Sequence, residues 1–146
     1  MKYLPLFANL NGCDSLIIGG GEMATQKTRL LLAAGARPTV IAPTVTKEIL
    51  KLKAAGRVRV EQLVYGTPDI SNFRLFNYAL VIVAESNPLD AEAWACSARN
   101  AGIPVNVVDR PDLSTVIFPG IVDRNPVFIA IGSSGAAPVL VRRLRE

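Results

Sequence analysis

Ser15-Leu16-Ile17-Ile18-Gly19-Gly20-Gly21-Glu22-Met23-Ala24 is the stretch that decides the fold. A short, mostly apolar run ends in three glycines, and a helical pattern begins at once. Met23, Leu30 and Ala34, with Ala24 and Leu31, recur at helical spacing. Gly35 stands where a helix of about 22–34 would end. The spacing therefore predicts strand, tight turn and helix, with the glycines at the junction. Gly19 permits the turn, Gly21 lets a ligand approach the backbone without a Cβ in the way, and Ala24 lets the helix pack closely on the strand. The helix N-terminus offers unpaired N–H groups and a partial positive charge. That combination suits the pyrophosphate of a dinucleotide.

The pattern repeats outward from this unit. Pro38-Thr39-Val40-Ile41-Ala42 reads as a second strand, followed by a helix of about 46–55 that stops at Gly56. Arg57-Val58-Arg59-Val60-Glu61 alternates polar and apolar, as an edge strand does. Residues 66–77 are rich in turn formers and read as loop or short helix. Tyr78-Ala79-Leu80-Val81-Ile82-Val83 is a continuous apolar run, expected of a strand covered on both faces. Asn87 and Pro88 start a helix with Ala91, Trp94, Ala95 and Ala98 on one face and Gly102 at its end. Trp94 reads as packing. Ile103-Pro104-Val105-Asn106-Val107-Val108 is the fifth strand and closes at Asp109.

Alternating strands and helices predict an α/β, doubly wound parallel sheet of the Rossmann type in the order 3-2-1-4-5. After Pro111 the alternation stops. Thr115-Val116-Ile117-Phe118 and Val127-Phe128-Ile129-Ala130-Ile131 read as two strands around the turn Asp123-Arg124-Asn125-Pro126. The expected division is a dinucleotide-binding domain over 1–113 and a small strand-helix segment over 114–146. Pro138–Glu146 starts a helix with no end signal, so the chain reads as part of a longer protein.

Composition narrows the chemistry. Of 146 residues, 50% are apolar and 19% charged, enough apolar content for a core. No run nears the ~18 apolar residues of a membrane span, and the N-terminus lacks a secretory signal, so a soluble, cytoplasmic protein is expected. Histidine is absent and the two cysteines, Cys13 and Cys96, stand far apart. Zinc sites of the Cys/His kind and His-based triads are thereby removed, and no metal site is assigned. The net charge of +4 fits either ordinary surface variation or a small anionic partner. No basic run interleaved with aromatics points to nucleic acid.

Two candidates follow from position. Asp109 ends the fifth strand on the edge of the sheet where ligands bind in such folds, and a carboxylate there can take or hold a proton beside a nicotinamide. The alternative is that Asp109-Arg110-Pro111-Asp112 is simply a turn. The end of strand two, Ala42-Pro43-Thr44, lacks the acidic residue that usually holds a ribose 2′-hydroxyl. Thr44 or backbone groups are left for that contact. No arginine stands there either, which favours NAD over NADP. Ser133-Ser134-Gly135 reads as an anion-holding turn or a helix cap, and Arg142, Arg143 and Arg145 as substrate ligands or a solvated face.

The sequence resembles the precorrin-2 dehydrogenases, including the N-terminal portion of multifunctional siroheme synthases. The likeness is carried by Leu4-Pro5-Leu6-Phe7, by Ile18-Gly19-Gly20-Gly21 running on through Ala24 and Lys27 to Leu31-Leu32-Ala33-Ala34-Gly35-Ala36, by Asn106-Val107-Val108-Asp109, and by Phe118-Pro119-Gly120-Ile121-Val122-Asp123-Arg124-Asn125-Pro126. Together these cover nearly the whole chain. The resemblance implies NAD-dependent oxidation of precorrin-2 to sirohydrochlorin in sirohaem biosynthesis, with iron insertion in some members. It also implies catalysis at Asp109, as general base or proton organiser. Glu22, Met23, Pro43 and Thr44 would join Gly19, Gly20, Gly21 and Ala24 as cofactor contacts, and a homodimer would form through the segment after the sheet. A serine phosphorylated in some members corresponds to Ser133. The chain departs from the family at Ala84-Glu85-Ser86-Asn87 and at Ser134-Gly135-Ala136-Ala137-Pro138, which lacks a hydroxyl before the proline. A dinucleotide-sensing regulatory module is the competing expectation. It needs only the glycine turn and would bind without turnover. A third, a dimeric scaffold, would have its activity in another part of the protein.

Overall fold

A computed structural model describes residues 1–63 and 77–133. Residues Asn9–Val116 form one compact unit, and Met1–Ala8 with residues from Ile117 onward form another.

The first unit is built on β1 (Asp14–Ile18), β2 (Arg37–Ala42), β3 (Arg59–Gln62), β4 (Leu80–Val83) and β5 (Val105–Val107), with α1 (Glu22–Ala33), α2 (Lys47–Ala54) and α3 (Pro88–Asn100) between them. The strands are parallel and ordered β3-β2-β1-β4-β5, as the alternation predicts. β1 is central: Ile17 lies between Val40 of β2 and Ile82 of β4. Its apolar run is explained by that place, since both faces and both edges are covered. The edge strand β3 is largely exposed, as its alternation required.

Successive strand residues point to opposite faces. Leu16, Ile18, Ile41, Val81, Val83, Val105 and Val107 pack with Trp94, Ala91, Ala95 and Ala98 of α3 in one buried cluster. Small alanines let α3 lie close to the sheet, and Trp94 fills the space they leave. Asn87 caps α3, its Oδ1 accepting from the Leu89 amide at 3.1 Å, and Pro88 follows at the first helical turn. All three helices end alike. Gly35, Gly56 and Gly102 adopt positive φ one residue past the cap. In α1 the amides of Gly35 and Ala36 then reach back to the Leu32 and Leu31 carbonyls at 3.0 Å.

Two expectations need correction. The buried face of α1 is Ala24, Thr25, Thr28 and Leu31; Met23 and Ala34 are exposed and Leu30 is half-buried. Apolar spacing alone missed the two threonines because each returns its hydroxyl to the helix. Thr28 Oγ1 donates to the Ala24 carbonyl at 2.7 Å and Thr25 Oγ1 to Gly21 at 2.9 Å, so neither carries an unmet donor into the interior. The second correction concerns Thr115–Phe118, which is not a strand. The hairpin strands are β6 (Gly120–Arg124) and β7 (Val127–Ile131), antiparallel around Asn125-Pro126. Thr115 and Val116 instead hydrogen-bond to β5, and Pro119, without an N–H, delays the start of the new strand. In this second unit Phe7 meets Phe128 edge to face, with ring centroids 5.0 Å apart. Residues 64–76, and so most of the 66–77 segment, lie outside the described residues. So do Ser134-Gly135, Arg142, Arg143, Arg145 and the helix expected from Pro138.

One buried polar group stands out. Ser15, fully buried in β1, has a hydroxyl with no hydrogen-bond partner among the described residues. Burying an unmet hydroxyl is unfavourable. Ser15→Ala is expected to raise stability by about 1 kcal/mol in urea unfolding; a loss of that size would show that the hydroxyl contributes a bond.

Candidate cofactor and catalytic site

The site lies on the C-terminal edge of the sheet, where the loops after β1, β2, β4 and β5 emerge. Gly19 sits at φ +112°, and its N–H donates to the Ile41 carbonyl at 2.9 Å. A Cβ on Gly19 would stand 2.3 Å from the Ala84 carbonyl oxygen, and one on Gly20 would stand 1.9 Å from that of Thr44. The turn is therefore pressed between the backbones that leave β4 and β2. Around a Cβ on Gly21 there is nothing within 4 Å. Gly21 is the N-cap of α1 and supplies no side-chain bond, so the amides of Glu22, Met23 and Ala24 keep the unsatisfied donors of a helix start. Open space beside an uncapped helix N-terminus is the geometry a phosphate group needs.

The glycine turn holds the β2–α2 loop in place. Thr46 N donates to the Gly20 carbonyl at 3.1 Å. A chain of hydroxyls runs alongside: the Ile49 amide donates to Thr46 Oγ1 (3.4 Å), Thr46 Oγ1 lies 2.8 Å from Thr25 Oγ1, and Thr25 donates to the Gly21 carbonyl. All the donors are used when each hydroxyl passes its proton along this direction. Pro43 and Thr44 are exposed on this loop, and Gln62 Nε2 holds the Pro43 carbonyl at 3.2 Å. Thus Gly19, Gly20, Gly21, Glu22 and Met23 share one sheet edge with Pro43 and Thr44, while Ala24 is fully buried beneath the turn. Thr25 and Thr46, which join the two halves, were missed in the sequence. The only signal for Thr25 was a polar residue on an otherwise apolar helix face.

After β4, Glu85 turns its carboxylate back onto its own loop. Oε1 accepts from the amides of Ser86 (2.8 Å) and Asn87 (3.1 Å). This departure from the family pattern orders the entry to α3. After β5, Asp109 is exposed and adopts φ +60°, the one non-glycine residue with positive φ among the described residues. No hydrogen bond or ion pair to a described residue takes up its carboxylate. Lys27 of α1 feels that carboxylate's charge. Half-burial pulls the Lys27 ammonium below its ordinary pKa, and Asp109 opposes the shift. In the sequence only the family resemblance distinguishes Lys27; the fold brings it toward the same edge. Ser133 belongs to the other compact unit. Among the described residues no group of three His, Cys, Asp or Glu could hold a metal, and no helix is long and apolar enough to cross a membrane.

Comparison with known proteins agrees with this geometry. A family model described as "Putative NAD(P)-binding" matches residues 6–120. The siroheme synthase of Methylococcus capsulatus is 46% identical over 145 residues, covering 99% of this chain and 30% of the relative. That of Ectopseudomonas mendocina is 47% identical over 146 residues, with 99% and 30% covered. The chain thus spans about 30% of the length of the curated relatives it matches. Among solved structures, SirC, a precorrin-2 dehydrogenase, superposes with a TM-score of 0.73 at 28% identity, over 98% of this chain and 68% of that one. The D-lactate dehydrogenase of Escherichia coli, at 15% identity and a TM-score of 0.51, over 73% of this chain and 31% of that one, shares the fold alone.

Thr25→Val keeps the shape of the side chain and removes the bridge. It is expected to cost about 1 kcal/mol of stability and to weaken dinucleotide binding several-fold in calorimetry. Stability lost with affinity unchanged would make the bridge a packing feature only.

Proposed function

The chain belongs to the NAD(P)-binding family whose model spans residues 6–120, and on that premise we propose that it is the NAD-dependent dehydrogenase part of a siroheme synthase, oxidising precorrin-2 to sirohydrochlorin. The observation that carries the reading is the meeting, on one sheet edge, of an uncapped glycine turn and a carboxylate held at φ +60° and left unpaired by the described residues. The whole-chain likeness to a precorrin-2 dehydrogenase supports it. A sensing module would need the turn and not the carboxylate.

Bound NAD supplies the hydride acceptor. The chain's own residues supply position and proton handling. The amides of Glu22, Met23 and Ala24 receive the pyrophosphate at the start of α1, and Gly21 leaves room for it. Pro43 and Thr44, exposed just after β2, would hold the ribose of the adenosine half. With no carboxylate and no arginine at the end of β2, neither charge repulsion nor attraction selects on a 2′-phosphate, and NAD is the simpler assignment. Oxidation of precorrin-2 removes two hydrogens, one as hydride to the nicotinamide and one as a proton. Asp109 accepts that proton, and its solvent exposure lets it pass the proton on. The substrate's many carboxylates suit a chain of net charge +4.

Labour would then divide between the two units, with the cofactor on Asn9–Val116 in place of the expected 1–113 and assembly on the β6–β7 hairpin of the other unit in place of 114–146. The β6–β7 hairpin exposes Val127, Phe128 and Ile129, each more than half open to solvent. An apolar hairpin of this kind is a surface for self-association, and a second copy is the partner proposed. The setting proposed is the cytoplasm.

Two measurements test the reading. In an anaerobic assay of NADH absorbance with precorrin-2 and NAD, the parent is expected to turn over, and Asp109→Asn to lose at least a hundredfold in kcat, the general-base scale. Asp109→Gly relieves the positive φ, so it should unfold within about 1 kcal/mol of the parent and still be inactive. Equal activity in either variant excludes Asp109. By sedimentation, the parent is expected to be a dimer and Val127→Asp/Ile129→Asp a monomer; a monomeric parent ends the assembly proposal.

A further inference from the structure

We propose that Ser114 is a positioning residue for Asp109: one hydroxyl clamps both ends of the tight turn that presents the carboxylate. The inference rests on the reading of Asp109 given above and deepens it.

β5 is the edge of the parallel sheet, so its outer backbone has no neighbouring strand in that sheet. The chain reverses just after it. Arg110 N donates to the Val107 carbonyl at 3.1 Å, closing a four-residue turn over 107–110. Asp109 is the third residue of that turn, the position where positive φ occurs, and it holds φ +60°. An L-residue pays on the order of 1 kcal/mol to stay there, so the turn needs outside support to persist in one geometry.

Ser114 gives it. Its Oγ accepts from the Val107 amide at 2.9 Å, and it lies 2.9 Å from the Arg110 carbonyl and 3.2 Å from that of Val107. The single hydroxyl proton goes to one of these oxygens, and the Arg110 carbonyl is the nearer. The hydroxyl thus joins the first residue of the turn to the last, with Asp109 between them. The returning chain is fixed on either side of Ser114. Thr115 Oγ1 accepts from Val105 N at 2.8 Å, Asn106 Nδ2 donates to the Val116 carbonyl at 3.0 Å, and the Arg99 guanidinium donates to the Leu113 carbonyl at 2.9 Å. These bonds seat the segment against β5 and α3. Among the described side chains, Ser114 alone hydrogen-bonds the turn at both ends. Among the described residues its hydrogen bonds reach neither the glycine turn nor the β2–α2 loop, so its effect should fall on the proton step and not on cofactor affinity.

The test uses the full chain with Ser114→Ala, with Ser114→Thr, which keeps the hydroxyl, and with Asp109→Asn as reference. Steady-state kinetics, NAD calorimetry and amide hydrogen exchange are measured on each. Ser114→Ala is expected to lower kcat about tenfold or more, the scale on which small misplacements of a reacting group act. NAD affinity should stay within about twofold, a change RT ln 2 that is small against one hydrogen bond. Exchange at Val107 and Arg110 should quicken, and Ser114→Thr should recover most of the rate. If the parent and Asp109→Asn behave as expected but Ser114→Ala keeps full kcat, the clamp is overturned alone. A matching loss of NAD affinity would also overturn it, as that marks general loosening. A parent without turnover, or an active Asp109→Asn, overturns the reading of Asp109 and the clamp with it.

Discussion

The close approach of three backbones at Gly19 and Gly20 is the constraint on which the rest of the first unit depends. The chain leaving β1 passes against the Ala84 carbonyl on one side and the Thr44 carbonyl on the other, at distances no Cβ would allow. Because no side chain separates them, the ends of β1, β2 and β4 are held in register at the edge where α1 begins. The start of α1, the β2–α2 loop and the β4–α3 loop then have fixed relative positions. The shape of this edge is thus set by backbone packing, and its side chains are added to a frame already set.

The second theme is how polar groups are carried into such a frame without loss. Thr25 and Thr28 take up positions on the buried face of α1 and satisfy themselves on carbonyls one turn back. At the far edge, hydroxyls of Ser114 and Thr115 meet the outer amides of β5 that a sixth strand would otherwise pair. At β5 the hydroxyls do the work of a backbone partner, whereas in α1 they add a second donor to carbonyls that the helix already pairs. The hydroxyl of Ser15 has no such partner, which marks it as an exception to the way this chain handles polar groups.

Most of the sheet was legible in the residues because period and punctuation agreed. β1, β2 and β4 are apolar runs bounded by turn formers, and each helix ends at a glycine that its closing hydrogen bonds require. The glycine turn and the place of Asp109 just past β5 were legible for the same reason: one is a backbone requirement, the other a position at a strand end. What stayed hidden was the use made of Ser and Thr. Thr115–Phe118 has the composition of a strand, and nothing in those letters tells a ladder from side-chain docking onto β5. Lys27 was hidden differently, since a lysine on a helix is usually a solvated residue and only the packing of α1 on the sheet brings it within reach of the charge on Asp109. The contact of Phe7 with Phe128 joins the ends of a long stretch of chain, and no local pattern encodes it.

The electrostatics of the edge follow from how its acids are used. Glu85 is taken up by the amides of its own loop, and Asp112 by the Arg110 guanidinium, which holds its carboxyl below the ordinary range. Neither can take a proton from a substrate without breaking the bonds that order its loop. Asp109 is under no such obligation to the described residues, and the fold spends conformational energy to keep it at positive φ. Lys27 lies near enough for its charge and that of Asp109 to act on each other, and half-burial holds its ammonium below the ordinary pKa. A carboxylate that is exposed and uncommitted to the described residues can meet a substrate without first breaking bonds that order its own loop. That property separates Asp109 from the other acids at the same edge.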